Sequence, residues 1–175
     1  VMSIYEDRAG VKWFGTFGGG VNKFDPASHK FALFRGVSEG ENGLQGDAIW
    51  AFLEDSEGTL WVGTYGNGLN RYDPATGLWK QYMPNSADPE SLPSDAIVAI
   101  FEDSSGTIWL GTTDAGVARY DRQTDSFSPI QAPPWVLALH EDSSGQLWFG
   151  GFGGLGKYDP KTEQIQFFLN DEEDP

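Results

Sequence analysis

The sequence predicts an all-β fold, a β-propeller built from four four-stranded antiparallel blades. One motif occurs four times, at residues 6–26, 54–74, 102–122 and 141–160. The tryptophans inside the copies, at positions 13, 61, 109 and 148, lie 48, 48 and 39 residues apart. A repeat of this length with several short strands per copy is typical of small sheets arranged around an axis. Glycines and prolines recur at fixed places in the repeat, which indicates turns rather than disorder.

The second copy illustrates how the elements of a blade follow from the residues. Its strands are predicted over 49–53, 59–64, 69–72 and 78–82, from the innermost to the outermost. The first strand is apolar on both faces, as expected for a sheet that lies between two neighbouring sheets. Asp55 and Gly58 favour a tight turn after it, a glycine-rich stretch over 66–68 favours the second turn, and Pro74 presets φ for the third.

The alignment of the copies predicts one partial propeller domain and divides it into blades. Its blades are predicted over residues 1–34, 48–82, 96–130 and 135–169, and a tail over 170–175. The recurring tryptophans are interpreted as core that packs blade against blade, because aromatic side chains dominate core energetics.

Each copy also repeats one acidic and one basic residue. The acidic residues are in the inner strands, at Glu6, Glu54, Glu102 and Glu141, and the basic ones precede the third-strand aromatic, at Lys23, Arg71, Arg119 and Lys157. Because a buried charge needs a partner, we predict a structural ion pair within a blade or between blades. The functional alternative is a ring of cations for an acidic ligand.

Composition and charge exclude several classes of function. The net charge of −15 repels phosphate backbones and anionic lipids, so we expect no nucleic acid partner and no membrane contact. The absence of Cys excludes disulfides, thiolate metal sites and Cys nucleophiles. His29 and His140 are too remote in the predicted blades to act together, and the Asp-x-x-Gly turns offer too few oxygens for calcium. We therefore predict no catalytic site, no metal, no cofactor and no enzymatic activity.

The repeat has a specific residue pattern that is shared with a known family. It reads ED-S-x-G-x-L/I-W-x-G-T-x-x-x-G-L/V-x-x-Y-D-P-x-T-G, and a linker over 82–97 leads into the third copy. This pattern resembles the two-component regulator propeller repeat. The resemblance implies the extracytoplasmic sensor of a bacterial hybrid histidine kinase, periplasmic or extracellular, with seven-bladed propellers connected through a further β-domain and a membrane helix to the kinase. Many members of that family are implicated in detecting oligosaccharides.

The chain departs from the family pattern in three ways. It has four repeats where a closed family propeller has seven, and it has Arg122 and Gly151 where the other copies have Pro and Thr. Both end blades are then expected to expose an apolar face. Three arrangements follow, in order of preference: part of a longer sensor, two chains that close one eight-bladed ring, or a four-bladed wheel closed by one chain. The expected partners are thus the missing blades of the same receptor or a second copy of the chain.

A ligand is expected on the face that carries the second turns and the blade-to-blade linkers, because the copies differ there. The candidate ligand-binding residues are Phe17, Trp50, Tyr65, Thr113, Asp114, Trp135 and Phe152. Trp50 and Trp135 replace smaller residues of the other copies near the channel mouth, and aromatic platforms beside polar turn atoms suit the flat faces of sugars. The alternative is that both tryptophans merely fill space between blades.

These observations predict a ligand-sensing propeller that binds a small molecule such as an oligosaccharide and passes the signal to a kinase domain outside this chain. The alternatives are a protein-interaction scaffold and a metal-dependent enzyme that resembles the streptogramin lyases. Ligand-dependent stabilisation would favour the sensor, turnover would favour the lyase, and neither result would favour the scaffold.

Overall fold

The structure is a computed structural model that describes residues 1–37 and 41–168, and these form sixteen β-strands in four blades. Blade 1 contains β1 (Ser3–Glu6), β2 (Lys12–Gly15), β3 (Val21–Asp25) and β4 (Lys30–Phe34). Blade 2 contains β5 (Ile49–Glu54), β6 (Leu60–Thr64), β7 (Leu69–Asp73) and β8 (Leu78–Tyr82). Blade 3 contains β9 (Ile97–Glu102), β10 (Ile108–Thr112), β11 (Val117–Asp121) and β12 (Ser126–Ile130). Blade 4 contains β13 (Val136–Glu141), β14 (Leu147–Gly151), β15 (Gly154–Asp159) and β16 (Gln164–Phe168).

Each blade is an antiparallel sheet whose four strands follow one another in chain order. The predicted all-β fold of four four-stranded blades is thus confirmed. Residue 169 of the predicted fourth blade and the tail predicted over 170–175 lie outside the described residues. Within residues 1–37 and 41–168, no helix has the length and apolar character that crossing a membrane requires.

In every blade an indole N–H closes the turn between the first two strands. The Nε1 atoms of Trp13, Trp61, Trp109 and Trp148 donate to Asp7, Asp55, Asp103 and Asp142, respectively, at 2.7 to 2.8 Å. The other carboxylate oxygen accepts backbone N–H groups of the same turn; Asp55 accepts those of Glu57 and Thr59 in this way. The recurrence of Asp and Trp at a fixed distance in the sequence therefore has a direct structural cause.

Neighbouring blades pack face to face through three apolar clusters. The main members are Trp13, Val21, Ile49 and Val62 between blades 1 and 2, Trp61, Leu69, Ile97 and Leu110 between blades 2 and 3, and Trp109, Val117, Val136 and Phe149 between blades 3 and 4. Trp61 and Trp109 are fully buried, which confirms their predicted place in the core. Trp148 is only half-buried, because it lies on the outward face of the last blade.

The predicted ion pair between the repeated Glu and the repeated base does not form: in the described residues no salt bridge joins the two sets. Instead, the inner-strand Glu accepts hydrogen bonds from the first turn of the preceding blade. These acceptor and donor residues are Glu54 with Arg8, Glu102 with Ser56, and Glu141 with Ser104. Three of the bases, Lys23, Arg71 and Lys157, lie over the tryptophan rings of their own blades. Donors of the preceding blade thus stabilise the charges of Glu54 and Glu141. Glu102 forms a salt bridge with Arg122 in addition, and Glu6 pairs with Lys12 of its own blade.

The first and the fourth blade each keep one face exposed. On blade 1, Ile4 and Phe31 are 69 % and 72 % exposed. On blade 4, Leu155 is 44 % exposed, and Trp148 stacks on Phe168 with ring centroids 5.5 Å apart. The described residues therefore form an arc of four blades with an apolar face at each end.

Candidate functional site

The second turn of a blade is hydrogen-bonded to the linker that enters the next blade, and this brings the predicted site residues to one surface. Phe17 forms a β-bridge with Ala48, and Tyr65 forms one with Ala96. The backbone N–H of Trp135 donates to the carbonyl of Thr113 at 3.1 Å. We call this surface the mouth and define it by residues 16–20, 47–50, 64–68, 95–98, 112–116, 133–136 and 151–154.

The first aromatic pair at the mouth consists of Trp50 and Tyr65, with ring centroids 6.0 Å apart. A β-bulge in β5 sets the position of Trp50: Ile49 pairs with Thr64 and Ala51 pairs with Gly63, so that Trp50 is the extra residue. Bulges redirect side chains next to binding sites. Trp50 is half-buried and Tyr65 is 42 % exposed, so the pair presents ring surface to solvent.

Two buried polar atoms of the described residues, Trp50 Nε1 and Ser3 Oγ, have no hydrogen-bond partner in the structure. Both belong to inner strands, β5 and β1. A buried donor without an acceptor is unfavourable by about 1–3 kcal/mol. The indole N–H of Trp50 is therefore the polar group of the mouth that most requires an external acceptor.

The second aromatic pair consists of Trp135 and Phe152, with ring centroids 5.7 Å apart. Trp135 has a φ of 59°, a left-handed conformation that is unfavourable for a bulky residue. Its carbonyl oxygen lies where a side chain at position 151 would begin: a Cβ on Gly151 would be 1.6 Å from that oxygen. This explains why blade 4 has Gly151 in place of the usual Thr, since the linker that carries Trp135 crosses β14 at this point.

The remaining candidates occupy the turn tips. Thr113 joins the Trp135 group through the backbone, and Phe17 is 68 % exposed at the tip of blade 1. Asp114 is exposed at the tip of blade 3, and among the described residues no hydrogen bond joins its side chain to either aromatic pair. The structure thus assembles two groups, one around Trp50 and one around Trp135.

The sequence predicts no catalytic and no metal-binding group. In the part of the chain that the structure describes, no three His, Asp or Glu side chains are grouped so that they could hold a metal ion. His140 is exposed in the inner strand of blade 4, with its ring 6.4 Å from that of Phe101. The mouth presents hydrogen-bonding groups of its turns and the aromatic rings of its two pairs.

A cluster away from the mouth was not found by sequence reasoning. The carboxylate of Asp125 accepts hydrogen bonds from the hydroxyls of Tyr82 and Tyr120, both at 2.6 Å, and forms a salt bridge with Lys80. Burial opposes ionisation of Asp125, but these donors, Lys80 first, outweigh it and lower the pKa of Asp125 to about 2. Burial, together with the hydrogen bond to Asp125, raises the pKa of Tyr82. The cluster connects the outer strands of blades 2 and 3, and the only sequence signal is an Asp where the other turns have His, Gly and Glu.

A cavity on the face opposite the mouth was also missed. It has a volume of about 380 Å³ and lies between blades 1 and 2, next to Trp13, Glu54, Tyr72 and Pro74. Its wall comes from the first and third turns, which lie on the face opposite the one where a ligand was predicted. Residue differences between copies at these turns, such as Pro74 against Arg122, were the available signal.

Comparison with known proteins finds one family model that matches two segments of the chain. Residues 43–66 and 91–114 match the family model described as two component regulator propeller. Each matched segment runs from a linker through the first two strands of a blade, in blades 2 and 3. Comparison with curated protein sequences gives no match.

Three solved structures illustrate the similarity in fold. The extracellular domain of a putative hybrid two component system from B. thetaiotaomicron has a TM-score of 0.85 at 23 % identity, over 96 % of this chain and 24 % of that one. The extracellular domain of a putative one component system from the same organism has a TM-score of 0.74 at 24 % identity, over 97 % and 24 %. Selenomethionine-substituted virginiamycin B lyase from Staphylococcus aureus has a TM-score of 0.74 at 18 % identity, over 97 % and 55 %.

These identities are low enough that the solved structures show the fold alone. The chain spans about a quarter of the length of the two extracellular domains. The family match is independent of them and rests on the sequence of the repeat. Residues 43–66 and 91–114, in blades 2 and 3, are therefore similar to the two-component regulator propeller repeat, as the resemblance in sequence implied.

Proposed function

We propose that this chain is the ligand-sensing propeller region of a bacterial two-component signalling receptor and that it lies outside the cytoplasm, in the periplasm or at the cell exterior. The family match supports the signalling role. The description of two similar structures as extracellular domains supports the location. A kinase domain outside this chain would receive the signal.

The proposed ligand is a small molecule such as an oligosaccharide, bound at the mouth. The observation that carries this proposal is the buried indole N–H of Trp50, which lacks an acceptor and lies beside the exposed ring of Tyr65. Once the groups that cover this N–H move aside, a ligand hydroxyl or ring oxygen would accept it and satisfy the buried donor. The ring of Tyr65, and the rings of Trp135 and Phe152 at the second group, would pack against the flat faces of the sugars.

Signal transfer would use the connections between blades. The mouth turns of blades 1 to 3 are each bonded to the linker entering the next blade; the N–H of Gly66, for example, donates to the carbonyl of Asp95 at 3.0 Å. A ligand that favours one arrangement of turn and linker therefore favours one packing of two blades. A ligand shifts such an equilibrium only through its difference in affinity for the two arrangements.

The test is a titration of an oligosaccharide panel by calorimetry, with native protein and with Trp50→Phe, which keeps a ring and removes the N–H. We expect the native protein to bind a member of the panel and Trp50→Phe to bind it at least about tenfold more weakly. Trp79→Phe is the matched control, because Trp79 lies in the outer strand of the same blade. Equal affinity of Trp50→Phe and native protein would contradict the site, and the absence of any binding would contradict the ligand class.

A protein-interaction scaffold is the second candidate. Phe17 and Phe152 extend from the mouth with 68 % and 79 % of their surface exposed, and exposed aromatic side chains are common anchors in protein interfaces. Replacement of Phe17 by Ser should then weaken capture of a protein partner and leave oligosaccharide binding unchanged, because Phe17 belongs to neither aromatic pair of the mouth. The role proposed for the chain is binding, so turnover of a streptogramin by the native protein would contradict it.

We further propose that missing blades of the same receptor cover the two open faces. Ser143 of blade 4 corresponds to Ser56 and Ser104, which donate to the Glu of the following blade, and Glu6 of blade 1 corresponds to the accepting Glu. Blade 4 thus carries the donor, and blade 1 the acceptor, of the hydrogen bond that joins neighbouring blades elsewhere in the chain. Light scattering distinguishes the alternative, since a discrete dimer would indicate that a second copy of the chain covers these faces instead.

A further inference from the structure

The boundary between blades 2 and 3 contains a guanidinium supplied by the chain itself. On the face opposite the mouth, Arg122 Nη1 lies 3.0 Å from Asp55 Oδ2 and 3.1 Å from Glu57 Oε2, and Nη2 lies 3.0 Å from Glu102 Oε1. Its Nε donates to the carbonyl of Gly106 at 3.1 Å. The guanidinium is thus bound by the first turns of two adjacent blades and by one inner-strand carboxylate.

The boundary between blades 1 and 2 repeats part of this arrangement: it lacks the guanidinium, and Ala9 takes the place of Glu57, so two of the three carboxylates remain. Asp7 corresponds to Asp55, Glu54 to Glu102, and Gly58 to Gly106. Pro74 takes the place of Arg122, and its short ring cannot reach these groups. A cavity of about 380 Å³ occupies this position, and all four equivalent residues line it.

The carboxylate of Glu54 retains acceptor capacity towards this cavity. Its Oε2 atom accepts the backbone N–H of Arg8 at 3.0 Å, and no hydrogen bond of the described residues reaches its Oε1. At the boundary between blades 3 and 4, both oxygens of Glu141 are used, by the N–H and the hydroxyl of Ser104. The difference arises because blade 1 has Arg8 where the later blades have Ser.

Two cations, Arg8 next to the cavity and Lys23 in its wall, do not fill the position of the guanidinium. The Arg8 guanidinium donates to the backbone carbonyls of Asp55 and Ser56, at the turn of blade 2. Lys23 lies 5.0 Å from the centre of the Trp13 ring, as Arg71 lies 5.5 Å from that of Trp61 at the boundary that also holds Arg122. A cation over the tryptophan is therefore compatible with a second cation between the turns.

We propose that the cavity between blades 1 and 2 binds a guanidinium-bearing ligand, either free or as an arginine side chain of a peptide. The planar fork of a guanidinium matches a carboxylate and a carbonyl at fixed positions, as Arg122 does one boundary away. Trp13 and Tyr72 line the cavity and supply apolar surface to the stem of such a ligand. The net charge of −15 attracts cations to the whole surface. Specificity for a guanidinium must therefore come from the groups that line the cavity.

The experiment titrates the native protein with L-arginine, with the tripeptide Gly-Arg-Gly and with L-citrulline, whose ureido group is neutral. Changes in the amide chemical shifts measured by NMR report both the affinity of each compound and the residues at which it binds. We expect saturable shifts at residues of the cavity with both arginine compounds and none with citrulline. Tighter binding of the tripeptide would identify peptides as the source of the ligand, and equal or weaker binding would identify the free compound.

Two variants and one control make the assignment specific. Pro74→Arg supplies an internal guanidinium and should abolish binding, whereas Pro74→Gln is the matched neutral control and should retain it. Glu54→Gln keeps an acceptor for the backbone N–H of Arg8, and it should lower the affinity of the protein for arginine about tenfold. The proposal is overturned if the native protein shows no saturable shifts up to about 10 mM arginine, if citrulline binds equally well, or if Pro74→Arg binds arginine as the native protein does. The mouth takes no part in these measurements, so their outcome is independent of the proposed sensing function.

Discussion

Arg122 Nη1 lies 3.0 Å from Asp55 Oδ2 across the boundary between blades 2 and 3, and the Asp55 side chain is completely buried. The same carboxylate oxygen accepts the indole N–H of Trp61 at 2.8 Å. One departure from the repeat, an Arg in a position otherwise held by Pro, thus neutralises an Asp that every copy needs for its own turn. The contact connects the third turn of one blade to the first turn of the blade before it.

Loss of the Arg122 guanidinium should destabilise the fold. Arg122→Gln leaves the buried carboxylate of Asp55 with neutral donors only, and we expect the free energy of unfolding to fall by about 2 kcal/mol, because a buried charge without its counter-ion is unfavourable. Urea denaturation followed by tryptophan fluorescence measures this change. Arg35→Gln is the matched control, because Arg35 is exposed, and it should change stability by less than about 0.5 kcal/mol. Equal effects of the two substitutions would show that the Asp55 contact contributes nothing.

The hydrogen bond from indole to Asp should contribute more to the free energy of unfolding in an inner blade than in the last blade. Asp103 accepts the N–H of Trp109, which is buried between blades, while Asp142 accepts that of Trp148, which is half-buried on an open face. Removal of the acceptor leaves a buried N–H unpaired only in the first case, since water reaches the second. We expect Asp103→Ala to lower the free energy of unfolding by about 3 kcal/mol and Asp142→Ala by about 1 kcal/mol. Thermal and urea unfolding of both variants provide the comparison, and a larger effect at Asp142 would contradict it.

The number of blades and their strands could be predicted because both depend on local signals that recur. Turn residues such as Gly58 and Pro74 mark strand ends, and the spacing of Trp61 and Trp109 fixes the repeat length. Contacts between blades could not be predicted in the same way. Matching charges suggested a pair between Glu54 and a base, but the carboxylate binds the turn of the preceding blade, which is distant in the sequence.

The candidate site shows the same limit. The unusual positions of Trp50 and Trp135 were visible as departures from the repeat, and the structure places both at the mouth with an aromatic neighbour. The bulge that orients Trp50 and the left-handed φ of Trp135 were not visible, since both depend on strand register and on the path of a linker. Arg122 was also recognised as a departure, but its partners belong to another blade and could not be assigned.

The Asp125 cluster should make stability depend on acid pH. The pKa of Asp125 is lowered from its ordinary value of 3.8 to about 2 in the folded protein, so its contribution is fully present above pH 3.8 and is lost as the pH falls towards 2. We expect native protein to be more stable than Asp125→Asn at pH 5 and this difference to shrink between pH 4 and pH 2.5. Urea unfolding at several pH values measures it. A difference that stays constant over this interval would mean that Asp125 is not stabilised in its ionised form.

Gly151 should be essential to the geometry of the mouth because of the path of the Trp135 linker. A Cβ at position 151 would lie 1.6 Å from the Trp135 carbonyl oxygen, so Gly151→Ala must displace that backbone and with it the pair formed by Trp135 and Phe152. We expect a loss of about 3 kcal/mol in the free energy of unfolding, because a backbone atom cannot move aside as a flexible side chain can. Gly150→Ala is the matched control one residue earlier: its Cβ would lie 3.7 Å from the nearest atom, an ordinary contact with Leu155. Urea denaturation of the two variants measures the effect on stability. If both glycine variants unfold at the same urea concentration, the close passage of the linker over β14 does not determine the structure of the mouth.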